Sequence, residues 1–346
     1  MKSKAGTRAA LVGLLALVGV AGAVATADAT TPGANGKIAS SLAASSPLPG
    51  TLSSPLPGTL LFTQSQRHDV QTIFLATGRR VRRLTRPGAY CCLVRISPDH
   101  RRVLVMPGGN IAPPVTGGTI NLAGVGFQRL PLADPKLNLV PQAWSPDGTR
   151  IAFEGWDDSD PSRAGVYITN AADGTNAVRV TTRPGLHHDI PLDYSPDGTR
   201  LVVYRSVRVD PDPYAYVGGS LWVVNVDGSG LHEIAGASVR PAAWARWSRN
   251  GRAILFANER TAPSGAIWIV RPDGTNLAKV FADRRGRFPI QPVWSPDGSR
   301  ILFALDPTND QFTHPFNGLY LIRADGSHLQ LLLGGNSFKS QPEWWR

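Results

Sequence analysis

The chain has 346 residues, of which 42% are hydrophobic and 18% charged, with 36 glycines and 29 prolines. That is enough apolar material for a sizeable core, in a chain that reverses direction often. Lys and Arg exceed Asp and Glu by 36 − 25 = 11, which favours anionic partners. The excess is scattered apart from RRVRR at 79–83 and RRGR at 284–287, and no basic helix or zinc-finger spacing goes with it, so nucleic acid is not an expected partner.

Lys2, Lys4 and Arg8 precede an apolar run over 9–25, and Ala25-Thr26-Ala27 fits the small-residue pattern of a cleaved secretory leader. Residues 1–27 therefore read as a signal peptide, and the protein as exported, either periplasmic or extracellular. No later stretch is long and apolar enough to span a membrane, so the mature chain is expected to have no transmembrane span. Residues 28–59 are rich in Ala, Ser, Thr, Pro and Gly and contain a tandem octad, SSPLPGTL at 45–52 and again at 53–60. This composition reads as a disordered linker.

From residue 60 the sequence alternates as strands do. LLFTQ (60–64), TIFLAT (72–77) and RVRRLT (80–85) come first, and then one motif recurs. It appears as ISPDHRRVLV, WSPDGTRIAF, YSPDGTRLVVY, WSRNGRAILFA and WSPDGSRILFA, with serines at 97, 145, 195, 248 and 295. Between these lie VYITNAADGTN, LWVVNVDGSG, IWIVRPDGTN and LYLIRADGSH. In Ser-Pro-Asp-Gly, proline presets the first central angle of a type I turn, and glycine takes the left-handed conformation that completes a hairpin bulge. Each unit thus predicts strand A, an SPDG hairpin, strand B, a variable loop, strand C, an Asp-Gly turn and strand D. Four antiparallel strands in about 50 residues make one propeller blade.

Five complete units begin near 91, 141, 191, 242 and 291. The strands at 60–85 supply B, C and D without A, while QPEWW at 341–345 matches A alone. Together they make a sixth blade. The predicted fold is an all-β, six-bladed propeller over 60–346, its ring closed by strand 341–345 joining 60–85.

The repeated WSPDG-(T/S)-R-(I/L), followed by (W/Y)-x-(I/V)-x-x-x-DG-(T/S), resembles the TolB-type six-bladed propellers across about 60–346. The resemblance implies the fold. TolB itself carries an α/β domain ahead of its propeller, where this sequence has only the linker, so its role in the Tol–Pal system is not implied. Prolyl-oligopeptidase-type enzymes join a propeller to an α/β-hydrolase domain. No G-x-S-x-G occurs and no residues follow Arg346, so the expectation is that this is not a serine peptidase.

Connectivity puts the SPDG and Asp-Gly turns at one end of each blade and the long B–C and D–A loops at the other. Function is expected on the loop face. There Arg67, His68, Trp156, Asp157, Arg205, Tyr214 and Tyr216 are candidate ligand-binding residues, with aromatic rings suited to stacking on sugars or to a protein hot spot. His187, His188, Asp189 and His314 are the candidate catalytic set. His187, His188 and Asp189 are also the candidate ligands of one divalent metal, as the metal-dependent oligogalacturonate lyases of this propeller type would imply. The turn-end histidines His100, His232 and His328 read as solvated. Adjacent Cys91 and Cys92 form either a vicinal disulfide or two small buried side chains. The expected function is a monomeric binding or scaffold module without cofactor, for an envelope or extracellular protein or an anionic glycan. The alternative is a metal-assisted polysaccharide lyase or hydrolase with its site near the axis.

Overall fold

A computed structural model describes residues 52–65, 71–108, 113–182, 189–208, 216–236, 238–258, 265–306, 318–335 and 337–345. Its strands form six four-stranded antiparallel sheets. Blade 1 pairs β24 (Phe338–Trp345) with β1 (Leu56–Ser65), β2 (Gln71–Gly78) and β3 (Arg80–Arg83). Blade 2 is β4 (Tyr90–Ile96), β5 (Arg102–Pro107), β6 (Gly118–Asn121) and β7 (Gln128–Arg129). Blade 3 is β8 (Asn138–Trp144), β9 (Arg150–Asp157), β10 (Asp160–Asn170) and β11 (Val178–Arg179). Blade 4 is β12 (Asp189–Tyr194), β13 (Arg200–Arg208), β14 (Tyr216–Asn225) and β15 (His232–Ala235). Blade 5 is β16 (Pro241–Trp247), β17 (Ile254–Asn258), β18 (Ala266–Val270) and β19 (Ala278–Ala282). Blade 6 is β20 (Phe288–Trp294), β21 (Arg300–Asp306), β22 (Gly318–Arg323) and β23 (Gln330–Leu333). Among the described residues no helix is long and apolar enough to cross a membrane.

The six-bladed fold read from the repeats is the one observed, including closure by the C-terminal strand. Thr59 lies opposite Trp345, Leu60 opposite Trp344 and Leu61 opposite Glu343. The packed region starts earlier than residue 60. Leu52 is 1% exposed, Ser53 bonds through N and Oγ to the carbonyls of Leu332 and Leu331 (2.9 and 2.6 Å), and β1 begins at Leu56. The second octad is thus largely part of blade 1. Its leucines supply the apolar burial that the Ser/Pro/Gly composition conceals.

Both faces of each blade are buried, so strand alternation feeds two cores at once. Leu60, Phe62 and Phe74 pack with Leu302, Ala304 and Leu319 of blade 6, whereas Leu61 and Ile73 pack with Val94, Val103 and Val105 of blade 2. The hydrophobic core is therefore a circle of interblade layers, each dependent on its two neighbours.

The SPDG turns share one hydrogen-bond plan. In blade 4, Ser195 Oγ donates to Asp197 Oδ1 (2.6 Å) and accepts from Arg200 N (2.9 Å), while Gly198, at φ +72°, donates its N–H to Ser195 O (2.8 Å). The Ser195 hydroxyl and the amide and hydroxyl of Thr199 hold the Asp197 carboxyl down at about 2. Equivalent serine bonds occur at Ser97, Ser145, Ser248 and Ser295. These aspartates are turn locks. Ser195→Ala is expected to cost about 1–3 kcal/mol, because it strands the Arg200 amide and frees Asp197; chemical denaturation checks it. His100 holds the glycine position of its turn at φ +57° and sets its ring 5.6 Å from that of Trp345. His232 and His328 are exposed as expected, whereas His100 is half-buried.

Candidate functional site

The innermost strand of every blade carries a register shift, in blades 2 to 6 within the two to seven residues before its turn serine. The shifts lie between Cys91 and Val94, Pro141 and Ala143, Pro191 and Asp193, Pro241 and Ala245, and Ile290 and Val293; β24 pairs irregularly against Leu61–Thr63. A bulge re-aims the side chains that follow it. The residue just before the conserved aromatic or Ile is then Glu343, Arg95, Ala143, Asp193, Arg246 and Val293 in blades 1 to 6. Four of the six are charged, and they meet.

Glu343 Oε1 accepts from Arg95 Nη1 (3.3 Å) and also from Arg246 Nη2. Arg95 Nε donates to Gln142 O (3.1 Å), and Arg246 Nη1 to Leu192 O (3.2 Å). Both guanidinium groups lie over the ring of Trp244, at 4.1 and 4.6 Å from its centroid. Asp193 accepts from the amides of Trp247 (2.9 Å) and Tyr194 (3.1 Å). Burial, and next the facing Arg246, depress Arg95 to about 9, with Glu343 countering both, so Arg95 stays charged at neutral pH. The axis is filled by an Arg–Glu–Arg triad stacked on an indole, contributed by blades 1, 2 and 5.

Asp193 is half-buried, and the desolvation of its carboxyl pushes it up to about 6 against the pull of Arg246. A carboxyl raised on folding contributes its stabilisation fully below its unfolded value near 4 and loses it as pH rises through about 6. The stability of the native protein relative to Asp193→Asn is therefore expected to fall between about pH 4 and 6, and to level off above that range. Thermal denaturation across that window checks the sign.

The residues singled out from sequence fall into three groups. Asp189 and Arg205 face each other across β12 and β13, and both carboxylate oxygens of Asp189 are taken by Arg205, Oδ1 by Nε (2.8 Å) and Oδ2 by Nη2 (2.7 Å). The guanidinium also lies 4.9 Å from the Trp222 ring. In blade 3, Asp157 accepts from the amide and hydroxyl of Ser159 and from Arg163 Nη1 (2.8 Å), and these bonds hold its carboxyl at about 2. Arg163 also pairs with Asp134. Trp156 is half-buried and donates through Nε1 to Asp158 Oδ1 (3.1 Å). These side chains are knitted into their own blades.

Cys91 and Cys92 lie in β4, and Tyr216 opens β14 opposite Arg208; the placement of their side chains lies outside the described residues. Arg67, His68, His187, His188, Tyr214 and His314 also lie outside them. Among the described residues no cluster of three His, Cys, Asp or Glu has metal-ligand geometry. The axial triad was missed from sequence, although it leaves a trace there. Aligned on the motif, the position before the aromatic or Ile reads E, R, A, D, R, V, and a charge there, in the most enclosed strand of a blade, must find a partner on another blade.

No known family profile matches the chain. Among curated proteins, the uncharacterized peptidase YuxL of Bacillus subtilis (strain 168) is 28% identical over 132 residues, which is 38% of this chain and 18% of that protein. The chain thus corresponds to a minor part of that relative's length. Among solved structures, the putative TolB from Agrobacterium tumefaciens superposes with a TM-score of 0.56 at 18% identity, covering 84% of this chain and 99% of that one. TolB from Acinetobacter baumannii gives 0.59 at 13% identity, over 82% and 66%. An oligogalacturonate lyase from Vibrio parahaemolyticus gives 0.52 at 14%, over 79% of each chain. The protein is a TolB-like six-bladed β-propeller. These likenesses concern its fold.

Proposed function

We propose that the protein is an exported, monomeric binding or scaffold module, without cofactor, that offers its loop face to an envelope or extracellular protein or to an anionic glycan. One observation supports this most. The loop-face carboxylates that chemistry would need, Asp157 and Asp189, already hold internal partners in Arg163 and Arg205, and the axis is packed with the Arg95–Glu343–Arg246 triad. Groups committed to one another are scaffold, and recognition then falls to the loops they brace.

Binding to an array of acidic oligosaccharides, and to envelope proteins retained on the immobilised protein, is expected to weaken with Trp156→Ala in a protein that still unfolds cooperatively. The competing reading is a metal-assisted lyase, since a structure of oligogalacturonate lyase in complex with manganese shares the fold at a TM-score of 0.52. A stoichiometric divalent ion in the purified protein, lost in His187→Ala or His188→Ala together with cleavage of polygalacturonate, would replace the binding reading with that one.

A further inference from the structure

Blades 3 to 6 each place an aspartate in the turn between their third and fourth strands, Asp173, Asp227, Asp273 and Asp325, where it accepts from the amide two residues on. Blades 1 and 2 depart from this rule. In blade 1 the turn reads Thr77-Gly78-Arg79. In blade 2 Ala123 takes the aspartate's place, and Asn121 Oδ1 holds the turn by accepting from Ala123 N (2.9 Å) and Val125 N (3.3 Å). The acid is absent where the turn is built without it.

Basic and apolar groups stand there instead. Arg79, Arg80, Arg82, Arg83 and Arg86 are all exposed along the outermost strand β3 and its flanks. Between residues 52 and 133 the described residues contain one acid, Asp99, whose carboxylate is held by Ser97 and the Arg101 amide. Asp99 belongs to blade 2, and Glu343, the acid that blade 1 contributes among the described residues, is at the axis. On the far side β23 carries no charge. Among the described residues the arginine edge therefore has no counter-charge of its own.

Beside it the blade 2 turn projects Val125, 60% exposed, and Phe127, 41% exposed, with the Phe127 ring stacked on Tyr90 at 5.8 Å. Arg82 Nη2 donates to Leu122 O (2.9 Å), joining the basic edge to this apolar tip. The described chain enters the fold at this rim, where Leu52 N donates to Arg79 O (3.3 Å).

We propose that this rim docks on an anionic phospholipid surface. Arg79, Arg80, Arg82 and Arg83 would meet headgroup phosphates, and Val125 and Phe127 would enter the headgroup–acyl boundary. Basic side chains beside exposed apolar ones are the chemistry of interfacial lipid binding. An acidic glycan would account for the arginines but gains little from an exposed valine. The contact runs along the outer edge of blades 1 and 2, so the loop face of blades 3 to 6 stays open to a partner.

The test is co-sedimentation of the purified protein with vesicles of phosphatidylcholine alone, or containing about one-third phosphatidylglycerol. Binding is expected only to the anionic vesicles and is expected to decline as salt rises. The double substitution Arg80→Glu/Arg82→Glu is expected to reduce partitioning by at least about 25-fold, at roughly fivefold per charge removed. Val125→Ser/Phe127→Ser should weaken binding while preserving its salt dependence. The variants are otherwise identical, so differences between them isolate the rim. If the strand variant fails to fold, Arg79→Glu/Arg86→Glu, in the flanking turns, carries the same expectation. Equal binding to both vesicle types overturns the proposal, as does unchanged binding of a folded variant. Binding of a soluble acidic polysaccharide through these arginines, with none to vesicles, also overturns it and assigns the edge to glycan. Trp156→Ala should leave vesicle binding unchanged, so failure of the loop-face reading is distinguishable from failure of this one.

Discussion

Glu343→Ala is expected to destabilise the protein by about 3–5 kcal/mol, the range seen when one partner of a buried ion pair is removed. Glu343 is the carboxylate that bridges Arg95 and Arg246, and the side chains of both arginines are at most 10% exposed. Without it two guanidinium groups lie over one indole ring with Asp193 left to offset only part of their repulsion, which is felt at low dielectric. Cation–π contact with the indole offsets only part of that cost. For a propeller of this size the loss corresponds to roughly 6–10 °C in melting temperature. The triple variant Arg95→Met/Glu343→Leu/Arg246→Met separates charge pairing from simple packing. If the deficit is an uncompensated charge, the apolar triad should recover most of the stability lost in Glu343→Ala, since apolar replacements of buried ion networks are often neutral or stabilising. A Glu343→Ala protein melting within about 2 °C of the native one would show that water screens the axis and the triad contributes little.

The fold was legible because its information is local and repeated. The SPDG turn sets a hairpin from four consecutive residues, and each of its parts reappears in the structure, down to the left-handed glycine and the serine that ties Asp to the returning strand. Alternation in LLFTQ shows a strand buried on both faces, as Leu60 and Leu61 prove to be. The boundary was less legible. Leu52 and Leu56 sit in a Pro/Ser/Gly stretch whose average composition hides two leucines that pack against blade 6.

The site was hardest, for a different physical reason. Partnership at the axis depends on which residues of separate blades meet, and Glu343 lies 248 residues from Arg95 and 97 from Arg246. No local pattern encodes such a pairing. Asp189 shows the converse: its neighbourhood to His187 and His188 in sequence suggested a ligand set, yet its carboxylate is engaged from the adjacent strand by Arg205. A strand residue's chemistry is set by what lies across the ladder as much as by what lies beside it in sequence. Had the aligned position before each aromatic or Ile been read for charge, the triad would have been the first candidate.

Removing residues 341–346 is expected to abolish cooperative unfolding altogether. The strand they belong to joins two interblade cores: Trp344 packs in the layer shared with blade 6, and Trp345 in the layer shared with blade 2. Trp344 also donates through Nε1 to Pro57 O (3.0 Å), and the ladder with β1 runs from Ser65–Phe338 to Thr59–Trp345. Each buried tryptophan is worth about 3–5 kcal/mol on truncation, and Glu343 adds a similar amount. Their sum reaches the whole stability of a typical globular domain, about 5–15 kcal/mol. The truncation also strips β1 of its axial partner and exposes a strand edge at the centre of the ring, which favours association. Calorimetry should show no sharp transition for the truncated protein, with near-ultraviolet circular dichroism much reduced and oligomers on gel filtration. The single substitution Trp345→Ala grades the effect: a folded protein destabilised by about 3–5 kcal/mol, and a His100 ring that loses its packing partner. If the truncated protein instead melts cooperatively within a few degrees of the full chain, the remaining three strands of blade 1 close the ring unaided, and neither the tryptophans nor the axial triad is the clasp.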